Sequence, residues 1–357
     1  GEIAPRASLA TVPVSMAVVA VALCTAPAAL LMRRIGRRPG FLAGASLGTL
    51  GALLGALALS RHEFLLLCAA AMLFGAGTAF SQQYRFAAAE SVPPEKLSRA
   101  VSWILLGNLG AALVGPPMAL AARDWIPAHD YAGSFLAVAV MYALAILVLT
   151  QLRLPAAAAP ATQGRARSVA ELFAEPKFRI AVLAGVASFG VMSFVMTAAP
   201  LSMHTHHHHS VGATSWVIQS HVMAMFLPSL FSGQLIARFG ERLMMLWGAG
   251  LLASCALVAL SGHQVMHYWW GLVLLGVGWN LLFVSGTTLL AREFGGADRH
   301  RAQAMNEFTV FGIQACVSLL AGVAVHRLGW EVLNLATLPL LALMMFAATR
   351  LPARTVA

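Results

Sequence analysis

Charge is what this chain has least of. Only 10% of its 357 residues are Asp, Glu, Lys or Arg, against 59% hydrophobic residues, and the mean hydropathy is +0.79. A soluble domain carries roughly a quarter charged residues, so this composition cannot cover a surface in water. Cysteine is scarce too: Cys24, Cys68, Cys255 and Cys316 stand singly, without a CxxC pair or the spacing of a disulfide framework. They read as small buried hydrophobes. No Asp or Glu falls deep inside an apolar run, which leaves out the carboxylate proton relay of membrane pumps. No G-x4-G-K-[ST] occurs, so nothing marks a nucleotide-driven motor. Neither an enzymatic activity nor a cofactor is expected.

What is present is a series of apolar stretches long enough to cross a bilayer, which takes about 20 residues for a core of roughly 30 Å. Eleven are predicted, at 10–32, 41–59, 64–84, 100–122, 131–151, 179–202, 214–236, 243–261, 269–291, 306–325 and 331–349. Nothing ahead of them has the basic, apolar and small-residue order of a cleavable signal peptide. Gly1 reads as a position inside a longer natural chain.

The net charge of +10 invites a nucleic-acid reading, but its placement argues against one. If the spans alternate and the loop with Arg33, Arg34, Arg37 and Arg38 is cytoplasmic, all but four of the 23 Lys and Arg residues lie on or near that side. The exceptions are Arg6, Arg61, Arg123 and Arg327. This is the positive-inside bias that orients spans during insertion. The partner it implies is the lipid bilayer, and no nucleic acid.

An internal repeat runs through the chain. Arg34-Ile35-Gly36-Arg37-Arg38 recurs as Arg238-Phe239-Gly240-Glu241-Arg242 at an offset of 204; Gly75-Ala76-Gly77 recurs as Gly276-Val277-Gly278 at 201; Arg99-Ala100 recurs as Arg301-Ala302 at 202. Three weak matches near one offset are stronger together than any is alone. The basic turn follows one span in the first half but two in the second, so equal halves call for one more span ahead of Gly1. The predicted organisation is 1–151 as the N-terminal half with its first helix missing, 152–178 as a cytoplasmic linker, and 179–357 as the C-terminal half.

Two six-helix halves, a central linker and an Arg-x-Gly-x-Arg turn in each half resemble the major facilitator superfamily, over essentially the whole chain. Gly110 to Gly115-Pro116-Pro117 is similar to a glycine-proline motif of that family. The acidic residue that normally precedes the turn is replaced by Arg33 and Ala237. The resemblance implies an all-α integral membrane fold and alternating access, with the halves rocking around a central site near the midplane.

Substrate must be read from the residues rather than the fold. Positions 192–225 hold Met192, Met196, Met203, Met223 and Met225, and also His204, His206, His207, His208, His209 and His221. Met192 and Met196 share one helix face, as do His221 and Met225. Met196 and His221 lie roughly 9–11 Å below the outer boundary, and Met192 and Met225 roughly 15–17 Å below it. The pairs would form two layers if their faces converge. Three thioethers and one imidazole suit Cu(I) and suit Zn(II) badly. Packing is the plainer reading of the Met pair; His221, an ionisable group inside a span, is a functional candidate by default.

Met-x3-Met and His-x3-Met on the seventh and eighth helices of a twelve-helix count resemble the bacterial CcoA-like copper importers. That resemblance implies a multi-pass inner-membrane importer serving cytochrome oxidase assembly, with Met192, Met196, His221 and Met225 as metal ligands and copper chaperones on either side as partners. It also leaves a rival, because relatives of that group are thought to carry riboflavin. The run at 204–209, with Met203, reads either as an external metal-capturing antenna or as a polar loop. For an organic solute, such as a vitamin taken up or a drug expelled, Arg85, Trp279 and Asn280 are the candidate cavity-lining residues. Arg85 reads rather as an interfacial snorkelling arginine, the commoner role at such a position.

Overall fold

The computed structural model describes residues 1–84, 87–88, 91, 97–127, 129–153, 167–294 and 298–352. Every regular element among them is helical, as apolar segments that must satisfy their own backbone inside a bilayer require. Each of the eleven predicted stretches is helical in its main part. The chain forms two units, Gly1–Ala158 and Ala159–Ala357.

In the first unit, α1 (Val12–Ile35), α2 (Arg37–Ser60) and α3 (Phe64–Ser81) pack together, and α5 (Ala132–Leu149) lies on α2 and α4 (Leu97–Ala121). Pro116 and Pro117 of the glycine-proline stretch fall inside α4. An apolar recess of about 400 Å³ lies among Pro13, Ala17, Phe64, Phe74 and Phe135, and no polar side chain lines it.

The second unit opens with α6 (Val169–Ala174), started by a capping box in which Ser168 Oγ accepts from Glu171 N and the Glu171 carboxylate accepts from Ser168 N. Then follow α7 (Pro176–Leu201), a π-helical turn (Ser202–His206), α8 (Val211–Phe226), α9 (Ser229–Ala259), α10 (Val265–Glu293), α11 (Arg299–Leu335) and α12 (Leu338–Thr349). Residues 154–166 of the predicted linker lie outside the described residues.

Eight stretches of the described residues are long and apolar enough to cross a membrane. Of the eleven predicted spans, 100–122 and 214–236 are not among these eight, and 306–325 and 331–349 fall within one stretch, Arg301–Thr349. The span predicted at 214–236 is interrupted at Leu227-Pro228, where proline has no N–H to continue the helix, so α8 stops at Phe226. Two of the predicted breaks are glycines with non-helical backbone angles, one between the spans at 214–236 and 243–261 and one between those at 306–325 and 331–349. Gly240, at φ +79°, turns the chain within α9, and Gly329, at φ +82°, does so within α11. Such φ values favour glycine.

The repeat is visible in contacts as well as in letters. Gly36, at φ +89°, occupies the turn that Gly240 occupies in the second half. A Cβ on Gly77 would sit 2.7 Å from the Gly44 carbonyl, and one on Gly278 would sit 2.8 Å from that of Gly248. Arg38 donates to the Thr150 carbonyl at the end of α5, and Arg242 donates to the Leu351 carbonyl beyond α12 at 3.3 Å. In both halves the last arginine of the basic turn caps the free carbonyls of a helix end.

Candidate functional site

The middle of the second unit is organised by α10, which packs on α7, α8 and α9. At its mid-length, about 21 Å from its N-terminal end, sit Trp279 and Asn280. Trp279 is buried and stacks on Phe283, four residues on, at 5.0 Å between centroids. Phe189 of α7 makes edge-to-face contacts with Trp279 (5.2 Å), Phe283 (5.1 Å) and Phe311 of α11 (5.4 Å). Phe226, the last residue of α8, meets Trp279 at 5.8 Å. Five rings from four helices therefore meet at mid-span depth. Trp279 and Phe311 are buried, while Phe189, Phe226 and Phe283 are half-buried.

Asn280 repairs the break in the eighth predicted helix of the twelve. Its Nδ2 donates to the Met225 carbonyl at 2.6 Å and to Ser229 Oγ at 2.5 Å, spanning the gap at Leu227-Pro228. Among the described residues its buried Oδ1 has no partner, and neither has Trp279 Nε1. Two adjacent residues thus hold an unused acceptor and an unused donor at mid-span. Broken helices at that depth are where many transporters bind solute.

The four predicted metal ligands fall on two helices that meet mainly through a third. His221 and Met225 are buried on α8 where it faces α10; Met192 and Met196 are half-buried on α7, whose broad contacts are with α10 and α11. His221 Nδ1–H donates to the Leu272 carbonyl at 2.7 Å, which fixes the tautomer and leaves Nε2 a bare lone pair with no partner. Met203 is fully buried in the apolar core of this unit. Arg85 lies outside the described residues.

The histidine run forms a bonded layer over this core. His204 Nδ1–H donates to the His209 carbonyl (2.9 Å), and His209 Nε2–H donates to that of His263 (2.7 Å). The His207 ring stacks on His263 at 4.1 Å, and His263 Nε2 lies 2.5 Å from Glu331 Oε1. His206 faces His326 at 6.4 Å, while His208 is exposed. Burial first, and then the neighbouring His263, push the His207 imidazole below its ordinary value. No group of three His, Cys, Asp or Glu among the described residues is arranged to hold a metal ion.

The sequence reading missed Phe189, Phe226, Phe283 and Phe311, along with His263, His326 and Glu331. Trp279 and Phe283 carry a visible signal, being four apart on one helix face. The others are brought together only by helix packing.

Long apolar helices and an internal repeat define a multi-pass membrane protein, and the comparisons with known proteins place it among transporters. The sequence profile of the Major Facilitator Superfamily matches residues 4–196 and 180–356, and the chain belongs to that family. It is 40% identical over 340 residues to the riboflavin transporter RfnT of Brucella anthropi, a match covering 95% of this chain and 85% of that protein. Two uncharacterized MFS-type transporters of Bacillus subtilis are also similar. YdeG is 30% identical over 85% of this chain and 74% of its own length; YddS is 28% identical over 87% and 76%. The relatives bear out the expected superfamily. None of these three is named as a copper importer.

Proposed function

We propose that this protein carries a flat, polar-edged aromatic solute of the riboflavin class across the bacterial inner membrane by alternating access. The observation that carries the reading is the 40% identity to a riboflavin transporter over 95% of the chain. The mid-span aromatic group of the second unit supports it. A group of half-buried rings suits a stacked heterocycle, and stacked or edge-on aromatic pairs add about 0.5–1.5 kcal/mol beyond burial.

The test is uptake of radiolabelled riboflavin by a riboflavin-requiring bacterium expressing the full-length protein. Saturable uptake, with growth on low riboflavin, supports the reading; uptake no better than in cells with empty vector removes it.

One observation favours a second reading, copper import. The Nε2 lone pair of His221 is buried and free, with the Met225 thioether one helical turn away, and imidazole with thioether suits Cu(I). Met192 and Met196 would complete that set. On this reading His221→Ala and Met192→Ala abolish copper accumulation at unchanged membrane abundance. Riboflavin uptake that persists in both variants, with no copper accumulation by the wild type, sinks it.

A further inference from the structure

Trp279 raises a question that packing does not answer. Its indole is buried at the middle of α10, yet the N–H has no acceptor among the described residues. Buried tryptophans nearly always find one. Phenylalanine would fill much of the same space among Phe189, Phe226 and Phe283 without stranding a donor. Those three rings are themselves only half-buried.

We infer that Trp279 is a specificity-determining residue whose indole N–H donates to a ring carbonyl of a flat heteroaromatic solute lying against Phe189, Phe226 and Phe283. This rests on the proposed function and adds to it the group that is recognised. A bare N–H offers nothing to a metal cation, so Trp279 matters for an organic solute and not for copper. Asn280 differs from it, since both its amide hydrogens are already committed to Met225 and Ser229. The sequence alone marks Trp279 as cavity-lining; the empty donor and the surrounding rings come from the structure.

The experiment compares wild type with Trp279→Phe, which keeps an aromatic ring and removes the N–H. Riboflavin uptake is measured in cells, and riboflavin binding to the purified full chain is followed by quenching of flavin fluorescence. Loss of one hydrogen bond raises KM and Kd about tenfold and leaves the maximal rate within about twofold. The same bond is probed without altering the protein by 2-thio and 4-thio riboflavin, in which one carbonyl oxygen is replaced by a poorer acceptor. One of the two binds wild type about tenfold more weakly than riboflavin, and Trp279→Phe weakens that analogue no further.

Equal KM and Kd for riboflavin in wild type and Trp279→Phe overturn the inference while leaving the proposed function intact. Equal binding of riboflavin and both thio analogues by wild type also overturns it, even if the variant fails to fold. A wild type that neither binds nor transports riboflavin overturns the proposed function and this inference with it.

Discussion

Gly276 of α10 lies against the backbone carbonyl of His221 on α8, so close that a Cβ there would be 2.7 Å from the oxygen. In the first half Gly75 of α3 lies the same way against the carbonyl of Ala17 on α1. The repeat thus places His221 where its counterpart is an alanine. The backbone approach is common to both halves, and the imidazole is what the second half adds.

The glycine is therefore a packing requirement. Gly276→Val drives α8 away from α10 and disturbs both His221 and the aromatic group. Overpacking typically costs 1–3 kcal/mol, and about 3 kcal/mol is expected here because the obstacle is backbone. Gly250, with no atom within 4 Å of an added Cβ, is the control, and Gly250→Ala should be neutral or slightly stabilising. Thermal melting of the detergent-solubilised protein compares the two, and equal melting temperatures would refute the packing argument.

Asn280 should matter first to stability. Asn280→Leu leaves the Met225 carbonyl unpaired beside a proline break, at a cost of about 1–3 kcal/mol. Ser229→Ala removes only one partner of the same amide, and about 0.6 kcal/mol is expected for a hydrogen bond within a membrane bundle. A melting series that ranks Ser229→Ala as the more damaging would contradict this role.

How far the sequence foretold these features depends on the distance over which each is encoded. The apolar runs and the basic turns are local patterns, so the helices and the glycine turns between them were legible. Trp279 and Asn280 were legible as polar residues in an apolar helix. The service Asn280 performs was hidden, because it depends on a break 52 positions away at Pro228. The pairing of Met192 and Met196 with His221 and Met225 was read from depth alone. Depth fixes height in the bilayer but not which helix lies between, and in the structure α10 packs on both α7 and α8. Phe189, Phe226 and Phe311 look like ordinary core residues until three helices bring them to Trp279.

The end of the linker is held by charge, and that hold should depend on pH. Asp298 accepts from the Arg167 backbone N–H and from its guanidinium, each at 2.7 Å, while Arg301 donates to the Arg167 carbonyl at 2.6 Å. The hydrogen bonds from Arg167 hold the Asp298 carboxyl below its ordinary value of 3.8. Folding therefore favours the ionised form. The contribution is present above pH 3.8 and is lost as the pH falls through the lower folded-state value. Asp298→Asn should mimic the acid state at neutral pH and hasten tryptic cleavage at Arg167. Cleavage rates indistinguishable from wild type would show that the pair does not hold the linker.

The acidic partner that the superfamily's turn normally carries ahead of its first arginine is absent at Ala237, yet the second half still has a charge pair there. Glu241, inside the turn itself, accepts from Arg292 Nη1 at 2.6 Å, joining the turn within α9 to the C-terminal end of α10. The Glu241 side chain is 11% exposed and that of Arg292 is 52% exposed, so solvent screens the pair from one side and about 1 kcal/mol is expected rather than the larger value of a buried pair. Glu241→Arg and Arg292→Glu should each lower transport and melting temperature, because each sets like charges together. The double exchange restores the opposite signs and should recover most of the loss. If the interaction is real, a double-mutant cycle gives a coupling of about 1 kcal/mol. Purely additive losses would mean that Glu241 and Arg292 act separately, with the turn held by Gly240 and by the Arg242 bond to Leu351 alone.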